Sequence, residues 1–164
     1  MGGAHAERFR AHPDVDLAAL CDVSTGILEQ FVSRLELGDL RPRPRLFTDP
    51  ATMFREADLD AVAIITPHTL HFDHAMLAAD AGLHVFMEKP MVTASAQAHA
   101  LAKRFQATGK VFTIGYNTPC TPEFDWLRSA IRLKTFGRLE LVSGYLAQGW
   151  MQITAGTWRQ NPKL

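Results

Sequence analysis

The chain has 164 residues, 47% of them hydrophobic and 21% charged, which is enough for one domain with a sizeable core and short for two. Lysine plus arginine and aspartate plus glutamate both number 17, and this balance excludes the overall basic field that gathers nucleic acid or an anionic membrane. No apolar run approaches the ~20 residues of a membrane span, and no charged segment followed by an apolar one opens the chain, so a cytoplasmic protein without membrane partners is expected.

Strand-like and helix-like segments then alternate. Residues 3–10 read as a helix and 15–21 as a strand ending in Asp22. Ser24 can cap a helix running to about Leu35. The basic cluster from Arg41 to Arg45 is interrupted by prolines and lacks interleaved aromatics, which suits a solvated loop. A short strand follows at 45–47, and Asp49-Pro50 opens a helix with proline at its first position. Residues 61–65 form an almost purely apolar run, the pattern of a strand covered on both faces.

The alternation continues with a helix over 69–81 that stops at Gly82, a strand at 84–87, a helix over 94–107 ended by Gly109, and a strand at 111–114. Such a series specifies a doubly wound α/β domain with a parallel sheet and right-handed crossovers. After Pro122 the pattern shifts. A helix over 124–134, a turn at Gly137 and an alternating, strand-like 139–147 read as the opening of a second α/β domain, giving a division into 1–120 and 121–164.

The first helix has no strand before it, whereas a dinucleotide-binding unit begins with a strand feeding a glycine-rich turn. Asp22 lies twenty residues beyond Gly2, the interval expected between the fingerprint glycines and the acidic residue that takes the ribose hydroxyls. A fingerprint whose first strand is missing is therefore expected, with the gap falling between the strands that end at Asp22 and Thr66. Gly2 would let the backbone approach a pyrophosphate at a helix N-terminus. Asp22 can accept both ribose hydroxyls and would repel a 2′-phosphate, and Val23-Ser24-Thr25 brings no cation to offset that; NAD is favoured over NADP.

The two cysteines, Cys21 and Cys120, form no C-x-x-C pair and agree with a reducing compartment. His68, His71 and His74 invite a metal reading, but no H-E-x-x-H or third-ligand pattern accompanies them, and no metal is expected. Glu88-Lys89-Pro90 closes the strand at 84–87 at the carboxyl end, where open α/β sheets bind their ligands.

Gly2-x-x-His5, Cys21-Asp22, Thr66-Pro67-x-x-x-His71, Glu88-Lys89-Pro90 and Gly115-Tyr116-Asn117 together resemble the Gfo/Idh/MocA family of oxidoreductases, named for glucose-fructose oxidoreductase and inositol dehydrogenase. The resemblance implies a Rossmann domain followed by a C-terminal α/β domain, a nicotinamide cofactor, a sugar or polyol substrate, and a homo-oligomer in the complete protein. It implies that Thr66, Pro67 and His71 border the cofactor and that Glu88 and Asn117 lie toward the nicotinamide. Lys89 would reach the reacting hydroxyl or carbonyl and assist proton transfer, since a lysine can stabilise a developing alkoxide. Thr118-Pro119-Cys120 departs from the family pattern after Asn117.

The segment from Thr157 to Pro162 resembles one that precedes an Asp-x-x-x-His motif in many relatives, which has no counterpart here. An inactive piece of a dehydrogenase is thus one expectation. A noncatalytic NAD-responsive binding module is the other.

Overall fold

The computed structural model describes residues 2–37, 43–157 and 160. It begins with helix α1 (Gly2–Ala11), followed by strand β1 (Ala19–Cys21), α2 (Thr25–Arg34), β2 (Arg45–Phe47), α3 (Pro50–Glu56) and β3 (Ala61–Ile64). Then come α4 (His71–Asp80), β4 (His84–Met87), α5 (Ser95–Thr108), β5 (Phe112–Ile114), α6 (Pro122–Arg132) and a short α7 (Trp150–Ile153). The alternation expected up to β5 is present, and local chemistry accounts for most of its boundaries. Ser24 accepts the Ile27 amide at the start of α2, and Asp49 accepts the Thr52 amide at 2.8 Å before Pro50 of α3. Gly82 and Gly109 terminate α4 and α5 with φ of 72° and 68°, a region costly for residues that carry a Cβ.

All pairings among the described strands are parallel, in two separate sheets: β1 with β2, and β3 with β4 and β5 in that order. β4 is central to the second sheet. β1 does not pair with β3, so the interruption falls where a missing first strand was expected. One hydrophobic core nevertheless spans both sheets, joining Phe47 of β2 and Met53 and Phe54 of α3 to Ile64, Ala75, Val85, Met87, Leu101 and Phe105. A smaller cluster of Ala6, Leu35 and Leu37 holds α1 against α2 and β1.

Three expectations need correction. The strand predicted over 15–21 is regular only at Ala19–Cys21, because β2 supplies a neighbour for that stretch alone. The run at 61–65 is covered unevenly rather than throughout: Ala61 is exposed, Val62, Ala63 and Ile65 are partly buried and only Ile64 is buried. The alternating segment 139–147 forms no strand. Its Leu139, Leu141, Val142, Tyr145 and Leu146 are all more than half exposed, and a strand without a partner leaves its backbone hydrogen bonds unmade.

Arg41 and Pro42 of the basic cluster lie outside the described residues. Arg45 is on β2, where its guanidinium stacks 4.9 Å from the Phe47 ring centroid and pairs with Glu56.

Candidate functional site

Within each sheet the parallel strands put their carboxyl ends on one side, and the predicted site residues lie at those ends. Asp22 comes directly after β1, Thr66 and Pro67 just after β3, Glu88 and Lys89 directly after β4, and Gly115 to Asn117 after β5. The first turn of α1 reaches the end of β4. His5 Nε2 lies 2.9 Å from Glu88 Oε1, with both side chains 13% exposed. The imidazole is packed beside Phe9 and Phe86. His5, which enters the sequence pattern only as one position of a motif, is thus a component of the site.

Asp22 is half-buried, and its Oδ1 accepts the Ser24 amide at 2.9 Å. Among the described residues its other carboxylate oxygen has no hydrogen-bond partner. Burial, with Asp49 and Asp22 adding, pushes the adjacent Cys21 thiol up to about 11, as suits an inert core cysteine. At Gly2 a Cβ would meet nothing within 4 Å, so the space beside the first turn of α1 is open. At Gly3 it would fall against Phe31 and Arg34, which explains how closely α1 approaches α2.

The Thr66 hydroxyl lies 3.1 Å from His74 Nδ1. Burial pushes the His74 imidazole down from its ordinary value, Asp73 opposing and His71 adding to the effect. A neutral ring can accept the Thr66 proton at Nδ1, which leaves the hydroxyl oxygen able to accept another bond. His71 is fully buried. Its Nδ1 is 2.8 Å from the Pro90 carbonyl and its Nε2 3.0 Å from the Thr66 carbonyl. Both ring nitrogens thus face backbone carbonyls.

Glu88 uses both carboxylate oxygens: Oε1 toward His5, and Oε2 accepting the Lys89 amide at 3.0 Å. Burial alone would raise this carboxyl, but the hydrogen bonds from His5 and Lys89, with their charges, outweigh it and hold the group below its ordinary value. Lys89 itself is exposed, ahead of a cis bond to Pro90, and its Nζ stands 5.5 Å from the centroid of the Trp150 ring.

Gly115 passes close to β4: its amide donates to the Met87 carbonyl at 2.8 Å, and a Cβ there would meet Phe86 at 3.1 Å. Asn117 is exposed at the head of a short helical turn, its side chain making no cap bond. Trp158 and Arg159, within the segment from Thr157 to Pro162, lie outside the described residues. Among those residues no group of three or more His, Cys, Asp and Glu is placed to hold a metal ion, and no helix is long and apolar enough to cross a membrane.

A partly engaged carboxylate acceptor at the end of one strand, an open helix N-terminus, and a hydroxyl and a lysine at the ends of two others are groups of the kind that hold a dinucleotide.

Comparison with known proteins agrees. Residues 1–116 match a family model described as an oxidoreductase family with an NAD-binding Rossmann fold. The UDP-N-acetylglucosamine 3-dehydrogenase of Acidithiobacillus ferrooxidans is 31% identical over 130 residues, which cover 79% of this chain and 40% of that protein. A glycosyl hydrolase family 109 protein of Shewanella sp. strain MR-4 is 27% identical over 142 residues, covering 84% of this chain and 31% of the relative. The chain thus spans about two fifths or less of the length of the curated relatives it matches. Among solved structures, scyllo-inositol dehydrogenase from Lactobacillus casei, crystallised with NAD(H) and scyllo-inositol, shares the fold. Its TM-score is 0.71 at 22% identity, over 83% of this chain and 39% of that one. On the family match, the chain belongs to the Gfo/Idh/MocA oxidoreductases, with their NAD-binding Rossmann fold.

Proposed function

We propose that this chain carries the cofactor-binding half of an NAD-dependent dehydrogenase of sugars or polyols, in which Lys89 handles the proton. The observation that carries the reading is the position of Lys89: exposed at the end of the central strand β4, beside a Glu88 held by the first turn of α1.

Gly2 and the amides after it would receive the pyrophosphate, Asp22 the adenosine ribose, and Thr66 and Pro67 would border the cofactor. Glu88 and Asn117 would lie toward the nicotinamide end. NAD, when bound, supplies the hydride acceptor. The Lys89 amine takes the hydroxyl proton as the alcohol becomes a carbonyl and returns it in the reverse direction, so no free alkoxide forms in water. Glu88 fixes the Lys89 backbone through its amide and leaves the amine end to the substrate. Asp22 favours NAD over NADP by repulsion of a 2′-phosphate. A homo-oligomeric complete protein and a division near residue 120 belong to the same reading.

The test is an assay of the purified gene product against a panel of sugars and polyols with both cofactors, following NADH. Lys89→Ala should lower kcat by about a hundredfold or more while NAD affinity changes little, general acid–base groups contributing typically 10²–10⁴-fold. Lost NAD affinity with turnover preserved would reassign Lys89 to cofactor binding. The Shewanella relative favours a second reading, cleavage of a glycosidic bond. Release of reducing sugar without accumulation of NADH would select it.

A further inference from the structure

His71 opens α4, the helix that follows β3, and its ring reaches across to the turn that follows β4. Its two contacts are both to backbone carbonyl oxygens, of Thr66 at the end of β3 and of Pro90 directly after Lys89. A carbonyl oxygen can only accept. A neutral imidazole has one N–H, so it can bond one of these oxygens and must turn a lone pair toward the other. At 2.8 and 3.0 Å, with the ring fully buried, water cannot intervene at either. Only a ring with a proton on each nitrogen satisfies both.

We propose that His71 is a positioning residue for Lys89: its imidazole, protonated on both nitrogens, bonds the carbonyls of Thr66 and Pro90 at once and couples the end of β3 to the Lys89-Pro90 turn. Around the ring, the His68 imidazole stands edge-on with centroids 5.6 Å apart, Asp73 lies in the first turn of α4, and His74 is on the next turn of the helix. His74 is held below its ordinary value by burial first, with Asp73 opposing and His71 contributing, which leaves it neutral beside its neighbour. The effect on Lys89 is indirect. β4 fixes Lys89 from the N-terminal side through Glu88, and His71 fixes the next residue from the C-terminal side, so the lysine projects from a backbone held at both flanks. This role rests on the proposed part of Lys89 in proton transfer; the double hydrogen bond does not.

Two measurements separate the layers. Nitrogen-15 spectra of the histidine side chains in the 164-residue chain at neutral pH should show His71 with both ring nitrogens protonated. One bare nitrogen would overturn the proposal, and this reading needs no variant to fold. In the purified gene product, His71→Gln, which can bond only one carbonyl well, should lower kcat by about a hundredfold with the KM for NAD changed by no more than about twofold. The Lys89→Ala, His71→Gln double variant should be no slower than Lys89→Ala alone, because His71 acts through the residue already removed. A double variant slower by the full factor of His71→Gln would show that His71 supports the fold at large and would overturn the positioning role. Full activity in Lys89→Ala would instead sink the reading of Lys89, and the spectra alone would then decide whether the coupling exists.

Discussion

Glu88 is bonded by His5 and by the Lys89 amide and is held below its ordinary value of 4.5. A depressed carboxyl adds stability that is fully present above its ordinary value and is lost as the pH falls through the lower folded value. Glu88→Gln should therefore lower the melting temperature at pH 7 by a few degrees, about the effect of one charge-assisted hydrogen bond in a chain of this size. The difference from the parent should close as the melting series moves to acid. A gap that stays constant down the series would mean that the ionised carboxylate contributes nothing to holding α1. Glu88 is legible in the sequence because Glu-Lys-Pro directly follows an apolar strand. Its partner is not, since His5 lies 83 residues away and only the folded chain brings α1 to the end of β4. His71 stands out in the sequence through the family resemblance, and nothing in the spacing reveals that two backbone carbonyls lie against its ring.

The elements are more legible than their pairing. Caps at Ser24 and Asp49 and glycines at 82 and 109 mark helix ends through bonds a few residues long, so the sequence carries them locally. Strand limits depend on neighbours, which explains why 15–21 is shortened and 139–147 forms no strand. The same dependence grades the strands that do form. β4 is paired on both sides, the His84 amide donating to the Asp60 carbonyl at 3.0 Å toward β3 and the Met87 carbonyl accepting from Gly115 at 2.8 Å toward β5. β1 is paired on one side only, and Asp22 at its end donates to Phe47 at 3.2 Å. Local opening follows burial and pairing, so amide exchange of Val85 and Met87 should be the slowest in the chain and that of Asp22 markedly faster. Equal protection at the two places would show that the two sheets open as one unit, against their separation here. Removing core volume under β4 should act on the whole. Leu101→Ala, at a fully buried position, is expected to cost about 2–5 kcal/mol by denaturant unfolding.

Across the whole molecule, α1 and the shared core connect two sheets that do not pair, and the surface after β5 is left uncovered. On α6, Phe124, Leu127 and Ile131 recur at helical spacing and are each 40–43% exposed. Trp126 lies over Phe136 on the same region, and Leu133, Phe136, Leu141, Val142, Tyr145, Leu146, Met151 and Ile153 are each more than 70% exposed, Trp126 61%. Large apolar side chains exposed in such number over one stretch of chain favour association. The 164-residue chain should therefore bind a hydrophobic dye and elute in size exclusion at a volume that depends on its concentration. Placing charges on the stripe with Leu127→Glu and Ile131→Glu should restore concentration-independent elution while the exchange protection of β4 stays unchanged, because neither side chain belongs to the core that holds the sheets. If the parent chain elutes as a monomer at every concentration, the segment after α6 covers this face in solution; if the charged variant loses protection at β4, the face supports the cofactor-binding half from which Lys89 projects.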